Sequence, residues 1–303
     1  MQAENTYDVL VHGAIGTDYL LQLDGIPPAG EVRSIEREVR TVGGEAANCA
    51  LALATWGARV CLCGNPLGND SNGRFVTAQL ALLPNLTLKA PVLQDFETPY
   101  SVVMSAWQQP RAVLVRNAAA KRYDEASSTQ DENHEDDGWP SARLATCDGT
   151  QPMNTHRLAR HLRAGGTPLF AQDALLNESV APLAELVLLT DAFWPRSTEK
   201  QMALMACERA NEWGNTVVIT RRGQGGVWCR AGEKPQHYAA VNIGDEDLLG
   251  SVGARDVFRA GLLWSRLQGW EWERGLHFAA AAAALKCREA TTIPELGQIE
   301  AIV

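Results

Sequence analysis

The sequence predicts an α/β fold in which helices cover both faces of a mostly parallel β-sheet. Short apolar runs of strand length recur along the chain, and helical segments rich in Ala and Leu separate them. The runs are residues 7–11, 60–63, 144–147, 168–171, 183–189 and 216–220. Strands connected through helices run parallel, and such sheets are buried on both faces. The 303 residues are long for one domain, but α/β chains of this length often form one core.

Composition and charge exclude several classes of protein. Hydrophobic residues make up 46% and charged residues 21% of the chain, which is an ordinary globular balance. The net charge of −9 disfavours binding to nucleic acid or to an anionic membrane surface. We expect no membrane span because no apolar run reaches the length of about 18 residues that a span needs. We also expect no signal peptide, because residues 1–11 lack a basic segment and a long apolar core.

The cysteines predict a reducing compartment. They are Cys49, Cys61, Cys63, Cys147, Cys207, Cys229 and Cys287. Their number is odd, no two are spaced as CxxC, and most lie in apolar runs. This pattern indicates buried, unpaired thiols, so we expect a cytoplasmic protein.

Two glycines and an asparagine precede the first long helix, in the segment 43–48. Adjacent glycines let the backbone approach a ligand closely, and the Asn48 amide offers a donor and an acceptor to a hydroxyl. Asp18, which follows the first strand, is able to accept hydrogen bonds from a polyol. The segment therefore predicts a polyol pocket, although capping and turn chemistry remain an alternative. Gly64, Gly68, Asp70 and Gly73 continue the same pattern.

A second glycine-containing turn, Gly253-Ala254-Arg255-Asp256, opens a late helix. The N–H groups at a helix N-terminus bind anions. We expect this turn to share one cleft with residues 43–48, because parallel sheets bind their ligands at the carboxyl ends of the strands. The alternative is an ordinary helix start with an Asp in its first turn.

These segments, together with residues 217–227 and the last helices, resemble the ribokinase-like carbohydrate kinases of the phosphofructokinase-B type. The resemblance covers nearly the whole chain. It implies a ribokinase-like three-layer α/β/α sandwich spanning residues 1–303 as a single domain, with a small β lid formed by strands within 14–42 and 92–118. It also leaves open a homodimer formed through this lid.

The resemblance implies transfer of the γ-phosphoryl group of ATP, with Mg2+, to a hydroxyl of a sugar or sugar-like substrate. It assigns the following residues: Asp18, Gly43, Gly44, Asn48 and Arg116 to the substrate, Gly253, Ala254 and Arg255 to an anion hole, Asp256 to general-base catalysis, Thr220 and Gly225 to the nucleotide, and Glu199 to indirect organisation of the metal. Neither nucleic acid nor a membrane is an expected partner.

Departures from the family pattern all fall on the nucleotide side. The family's Asp-Thr-Thr-Gly-Ala-Gly-Asp is Gly250-Ser251-Val252-Gly253-Ala254-Arg255-Asp256 in this chain. Arg196 replaces the Asn of the family's Asn-x-x-Glu motif, and Arg222 replaces a glycine unless the alignment shifts by one residue to Gly223. If the backbone at Arg255 needs a positive φ, a side chain there costs about 1 kcal/mol or more.

Two functions therefore remain open from the sequence. One is a working carbohydrate kinase, and the other is a non-catalytic sugar- or anion-binding relative with a degraded nucleotide site. A dinucleotide-binding oxidoreductase is disfavoured, because Gly13-Ala14-Ile15-Gly16 lacks the G-x-G-x-x-G spacing.

Overall fold

The computed structural model describes residues 7–106, 109, 111–127, 138–176, 178–242, 244, 252–289 and 291–303. In these ranges the strands are β1 (Tyr7–Gly13), β2 (Gly16–Leu23), β3 (Ile35–Gly43), β4 (Val60–Gly64), β5 (Leu67–Gly68), β6 (Leu86–Leu88), β7 (Val92–Leu93), β8 (Tyr100–Ala106), β9 (Ala112–Arg116), β10 (Ala142–Cys147), β11 (Leu169–Gln172), β12 (Leu186–Thr190), β13 (Thr216–Thr220), β14 (Gly226–Arg230) and β15 (Gln236–Tyr238). The α-helices are α1 (Glu45–Thr55), α2 (Ser71–Leu80), α3 (Ala118–Ser127), α4 (Pro152–Gly165), α5 (Glu199–Trp213), α6 (Ala254–Leu267), α7 (Trp272–Arg288) and α8 (Leu296–Glu300).

The main sheet has the order β15-β14-β13-β12-β11-β10-β1-β4-β6. All neighbours from β13 to β6 are parallel, while β14 and β15 are added antiparallel at one edge. The predicted α/β fold with a mostly parallel sheet is therefore confirmed. The carboxyl ends of the parallel strands meet at one edge of the sheet, where open α/β sheets bind their ligands.

The two faces of this sheet bury two separate cores because side chains alternate along each strand. Val9 and Val11 of β1 pack on one face with α1, α6 and α7. Leu10, between them, packs on the other face with α4 and α5. This arrangement gives the three layers that the apolar strand runs predicted.

A second, four-stranded sheet has the order β3-β2-β8-β9. Strand β2 pairs antiparallel with β3 and parallel with β8, and β8 and β9 form the predicted antiparallel hairpin. Its strands lie in the two segments that the sequence predicted, with β3 extending one residue further. The function of this sheet as a lid, and a homodimer formed through it, stay predictions.

The expectation that the thiols are unpaired is wrong for two of them. Cys207 of α5 and Cys229 of β14 form a disulfide, with their Cα atoms 5.1 Å apart. The sequence did not indicate this pair, because 22 residues separate the two cysteines and only the packing of α5 against β14 brings them together. The other five cysteines are free, and four of these are buried.

Residues 124–138 include seven acidic residues, a composition that predicts a solvated loop, but the start of this stretch is helical. Residues 124–127 form the end of α3, and the Asp124 carboxylate is buried and accepts hydrogen bonds from the N–H groups of Met153 and Asn154. Residues 128–137 lie outside the described residues. Among the described residues, no helix combines the length and the apolar character that crossing a membrane requires.

Candidate active site

The residues predicted to form a polyol pocket lie together where β2 and β3 meet the start of α1. Gly44 caps this helix with φ of 97°, and a Cβ on it would lie 2.3 Å from the carbonyl oxygen of Ala14. A Cβ on Gly43 would lie 2.2 Å from the carboxyl carbon of Asp18. Both positions therefore require glycine for close approach, and Gly43 lies directly against the Asp18 carboxyl group. Burial raises the pKa of Asp18.

Asn48 connects this pocket to the start of α6. Its side-chain amide donates a hydrogen bond of 3.0 Å to Asp256. Gly253 caps α6 in the left-handed conformation, with φ of 73°, and Asp256 lies in the first turn. Since Gly253 has no side chain to cap the helix, the first-turn N–H groups remain for an anion. The two segments that the sequence placed in one cleft are thus in direct contact.

Asp256 is buried, and its second carboxylate oxygen accepts a hydrogen bond of 3.2 Å from the Gln172 amide. Burial and the neighbouring Glu45 carboxylate raise its pKa to about 7, although Arg259, Arg255 and the Asn48 hydrogen bond act in the opposite direction. A carboxyl group with this pKa exchanges a proton readily near neutral pH.

Arg255 causes none of the backbone strain that the sequence left open. It lies inside α6, and its φ is not among the positive values found in the described residues. Its guanidinium pairs with Asp173 at 2.6 Å and with Glu45 at 3.1 Å. The side chain therefore points to two carboxylates of this chain. Asp173 itself has φ of 54°, and burial raises its pKa to about 6.

Arg259, one turn further along α6, is fully buried. Its guanidinium donates to the carbonyl oxygens of Cys147, at 3.0 Å, and Glu45, at 2.6 Å. It thus joins the end of β10 to the start of α1, and its charge acts on Asp256. Sequence reasoning missed this residue, as it missed Glu45, Gln172, Asp173 and Lys286. The only sequence signal for Arg259 was the presence of a charged residue within an apolar part of a helix.

The two residues predicted to bind the nucleotide, Thr220 and Gly225, lie at the carboxyl end of β13 and in the turn that leads to β14. Thr220, the last residue of β13, donates its hydroxyl to the Leu189 carbonyl at 3.2 Å. Arg222 has φ of 52°, and Gly223 has no positive φ. Arg222 therefore occupies a left-handed position that favours glycine, as the ungapped alignment expects.

The residue predicted to organise the metal is engaged in ion pairs. Glu199 contacts the guanidinium of Arg221 and the ring of His237, the latter at 2.7 Å. Arg196, which replaces the Asn of the same motif, is exposed. These contacts make Glu199 part of a local cluster of charges at the start of α5.

The two arginines of the β8–β9 hairpin, Arg116 and Arg111, lie in different surroundings. Arg116 is 58% exposed and pairs with Glu97 at 2.9 Å. Arg111 lies directly before β9, and its positive charge opposes the effect by which burial raises the pKa of Asp18. The contact of Arg116 with substrate stays a prediction. Gly250 and Ser251, which replace the family's Asp and Thr, lie outside the described residues.

A cavity of about 940 Å³ lies at the opposite end of the main sheet. Its lining includes Pro168, Glu185 and Thr216, which stand at the amino ends of β11, β12 and β13. The chemistry-bearing residues lie at the carboxyl ends, where α/β sheets bind their ligands. We therefore place the candidate active site at the Asn48–Asp256 contact.

Gly225 offers a direct test of the nucleotide turn. It has φ of 77°, and a Cβ on it would lie 2.2 Å from the Tyr238 carbonyl oxygen. We expect Gly225→Ala to lower the free energy of unfolding by about 1–3 kcal/mol, because strain and a backbone clash combine. Gly223→Ala is the matched control, since a Cβ there meets nothing within 4 Å. Equal denaturant midpoints for the two variants would contradict this geometry.

The fold and the cleft define a class of protein: an α/β chain in which a glycine-containing segment lies beside a helix N-terminus and a buried carboxylate, as in carbohydrate kinases. The sequence pattern of the pfkB family carbohydrate kinases matches residues 8–297, and the chain belongs to that family. No curated protein matches this sequence.

Solved structures of low sequence identity share the fold. The Arabidopsis thaliana ribokinase complexed with ribose and ATP has a TM-score of 0.77 at 18% identity, covering 98% of each chain. The Thermotoga maritima ribokinase has a TM-score of 0.74 at 18% identity, over 98% of this chain and 99% of that chain. The Burkholderia thailandensis nucleoside kinase in complex with inosine has a TM-score of 0.74 at 19% identity, over 97% of this chain and 96% of that chain. The ribokinase-like fold is therefore established.

Proposed function

We propose that this protein is a phosphotransferase that moves the γ-phosphoryl group of ATP to a hydroxyl group of a sugar or sugar-like polyol. The observation that carries the proposal is the 3.0 Å contact between Asn48 and Asp256. It joins the pocket suited to hydroxyl groups to the helix N-terminus suited to a phosphate. Family membership supports the same reaction class, and the solved ribokinase with ribose and ATP supports the choice of substrates.

In the proposed reaction, Asp18 and Asn48 hold hydroxyl groups of the acceptor, and Asp256 receives the proton of the attacking hydroxyl. The acceptor oxygen forms a bond to the γ-phosphorus as the bond to the β-phosphate bridging oxygen breaks, so that ADP leaves. The N–H groups at Gly253, Ala254 and Arg255 stabilise the charge on the transferring group. The pKa of about 7 suits Asp256 to this proton transfer near neutral pH.

The residues that the structure describes do not form a resident metal site. Glu199 pairs with Arg221 and contacts the His237 ring, and the described residues contain no group of three or more His, Cys, Asp or Glu side chains that could hold a metal. We therefore treat Mg2+ as part of the MgATP substrate, where the phosphate oxygens are its ligands. No step of the proposed mechanism passes through a protein-held metal.

The second candidate is a non-catalytic relative that binds a sugar or an anion. Its support is that charged side chains on the nucleotide side pair with one another. Arg255 pairs with Asp173 and Glu45, and Glu199 pairs with Arg221. A guanidinium fixed in this way is able to stand where a phosphate of ATP would bind. The retention of Asp256 beside Asn48 favours the kinase.

Thermal unfolding in the presence of ligands separates these candidates. With MgATP at 100 times its dissociation constant, a kinase gains roughly 2.7 kcal/mol of stability, and we expect a further shift with one member of a panel of sugars, nucleosides and sugar acids. A shift with a sugar but with neither ATP nor GTP would overturn the kinase proposal and favour the binding protein. Methylene-ATP, which resists hydrolysis, controls for turnover during the scan.

A further inference from the structure

We propose that Lys286 is a further substrate-contacting residue of this site, and that its ammonium group binds the phosphoryl group at the N-terminus of α6. This inference rests on the proposed function, because it names a residue that would act on the transferred group. Lys286 lies in the last turn of α7 and is only 3% exposed.

The position of the side chain supports this assignment. The Cε atom of Lys286 lies 3.5 Å from the point where a Cβ on Gly253 would stand, and the Asn48 amide nitrogen lies 3.3 Å from the same point. The lysine stem therefore runs past the glycine that opens α6, on the side of the polyol pocket. An acceptor hydroxyl bound at Asn48 and Asp256 would place its incoming phosphoryl group beside this glycine.

Lys286 differs from the two nearby arginines, Arg255 and Arg259, in the groups that surround its charge. Arg255 is bound to the carboxylates of Asp173 and Glu45. Arg259 is bound to backbone carbonyl groups. The charge of Lys286 acts on Asp256, as the charges of both arginines do, and it also acts on Asp18. These carboxylates belong to the pocket and to the general base, so the ammonium lies on the acceptor side of the helix start.

Holding an ammonium group in this buried place costs free energy. Burial lowers the pKa of Lys286 to about 8, while Asp256 is the strongest influence in the opposite direction. The Nζ donates to the Glu289 carbonyl oxygen at 3.4 Å, as lysines near a helix C-terminus often do. A lysine that served only this helix end would stabilise it equally well from the surface. A phosphoryl dianion bound beside Gly253 would offset the free-energy cost of burying the ammonium group.

A sulfate titration of the intact protein tests the inference without any assumption about turnover. Sulfate mimics the phosphoryl dianion and does not change its charge between pH 6 and 9. We expect Lys286→Gln to weaken sulfate binding roughly tenfold to a hundredfold, the effect of losing one charge-assisted hydrogen bond. Lys286→Arg keeps the charge and should bind within a few-fold of the wild type. The matched control is Lys234→Gln, a charge loss on the exposed turn between β14 and β15.

The pH dependence of sulfate binding to the wild type supplies a second readout. Lys286 loses its proton above pH 8, so binding should be about tenfold weaker at pH 9 than at pH 7. Lys286→Arg should lack this loss. The other charged groups that face Lys286 are present in both proteins: Asp256, whose pKa is raised to about 7, Asp18 and Cys287, whose pKa values burial raises, and the side chains of Arg111 and Glu289. The difference between the wild type and Lys286→Arg therefore isolates the lysine.

The outcomes keep this inference separate from the proposed function. Sulfate affinity that is unchanged in Lys286→Gln, or absent in the wild type, overturns the role of Lys286 and leaves the ATP titration to decide on the kinase. Weakened sulfate binding in Lys286→Gln, without phosphorylation of any acceptor by the wild type, supports Lys286 and counts against the kinase. If Lys286→Gln fails to fold by circular dichroism, the comparison of the wild type with Lys286→Arg across the pH series decides.

Discussion

Replacing Asp256 with Asn should reduce phosphoryl transfer by about 10²–10⁴-fold, because the acceptor hydroxyl loses its general base. The substitution preserves size and leaves the helix N-terminus in place, so binding of ATP and of the acceptor should change much less than kcat. The measurement is coupled release of ADP with an acceptor identified in the thermal-shift panel. In the wild type, turnover should rise as the pH increases through about 7, because Asp256 acts only after losing its proton.

Asp95→Asn is the matched control for this variant. Asp95 is exposed, so we expect the loss of its carboxylate to leave kcat and KM unchanged. If Asp256→Asn retained wild-type kcat, the proposed general base would be wrong. Circular dichroism of both variants distinguishes a catalytic loss from unfolding.

Replacing Arg259 with Met should give the largest loss of stability, about 3–5 kcal/mol in the free energy of unfolding. The substitution removes the positive charge buried beside Asp256 and Asp148 and leaves the carbonyl groups of Cys147 and Glu45 without their donor. Removing one partner of a buried ion pair has this order of effect because the remaining charge is uncompensated. Urea denaturation at pH 8 measures it.

The loss should be smaller at lower pH. The folded-state pKa of Asp256 is raised to about 7, above its unfolded value, so the native protein takes up a proton as the pH falls through 7 and its uncompensated charge disappears. Arg266→Met, on the same helix, is the matched control. Arg266 is 48% exposed and pairs with Glu185 at the surface, so its loss should cost no more than about 1 kcal/mol. Equal losses for the two variants would contradict the buried role of Arg259.

The different burial of Arg259 and Arg266 was not predicted from the sequence. Both lie on α6, seven residues apart, and a helix with 3.6 residues per turn places them on the same face. Their burial differs because Arg259 contacts the end of β10 and the start of α1, whereas Arg266 lies in the last turn of the helix. The same limit hid the disulfide, because Cys207 and Cys229 meet only through the packing of α5 on β14.

The sequence determined the layered α/β fold, because the apolar period of each strand and helix is a local property. It also predicted that Asn48 and Asp256 share one cleft, because residues that follow parallel strands collect at one edge of the sheet. Tertiary structure decided the electrostatics of that cleft. The direction of Arg255 toward Asp173 and Glu45, the raised pKa of Asp256 and the path of Lys286 past Gly253 all depend on side chains from distant elements. Charge and burial are collective properties of the folded chain, and no local pattern records them.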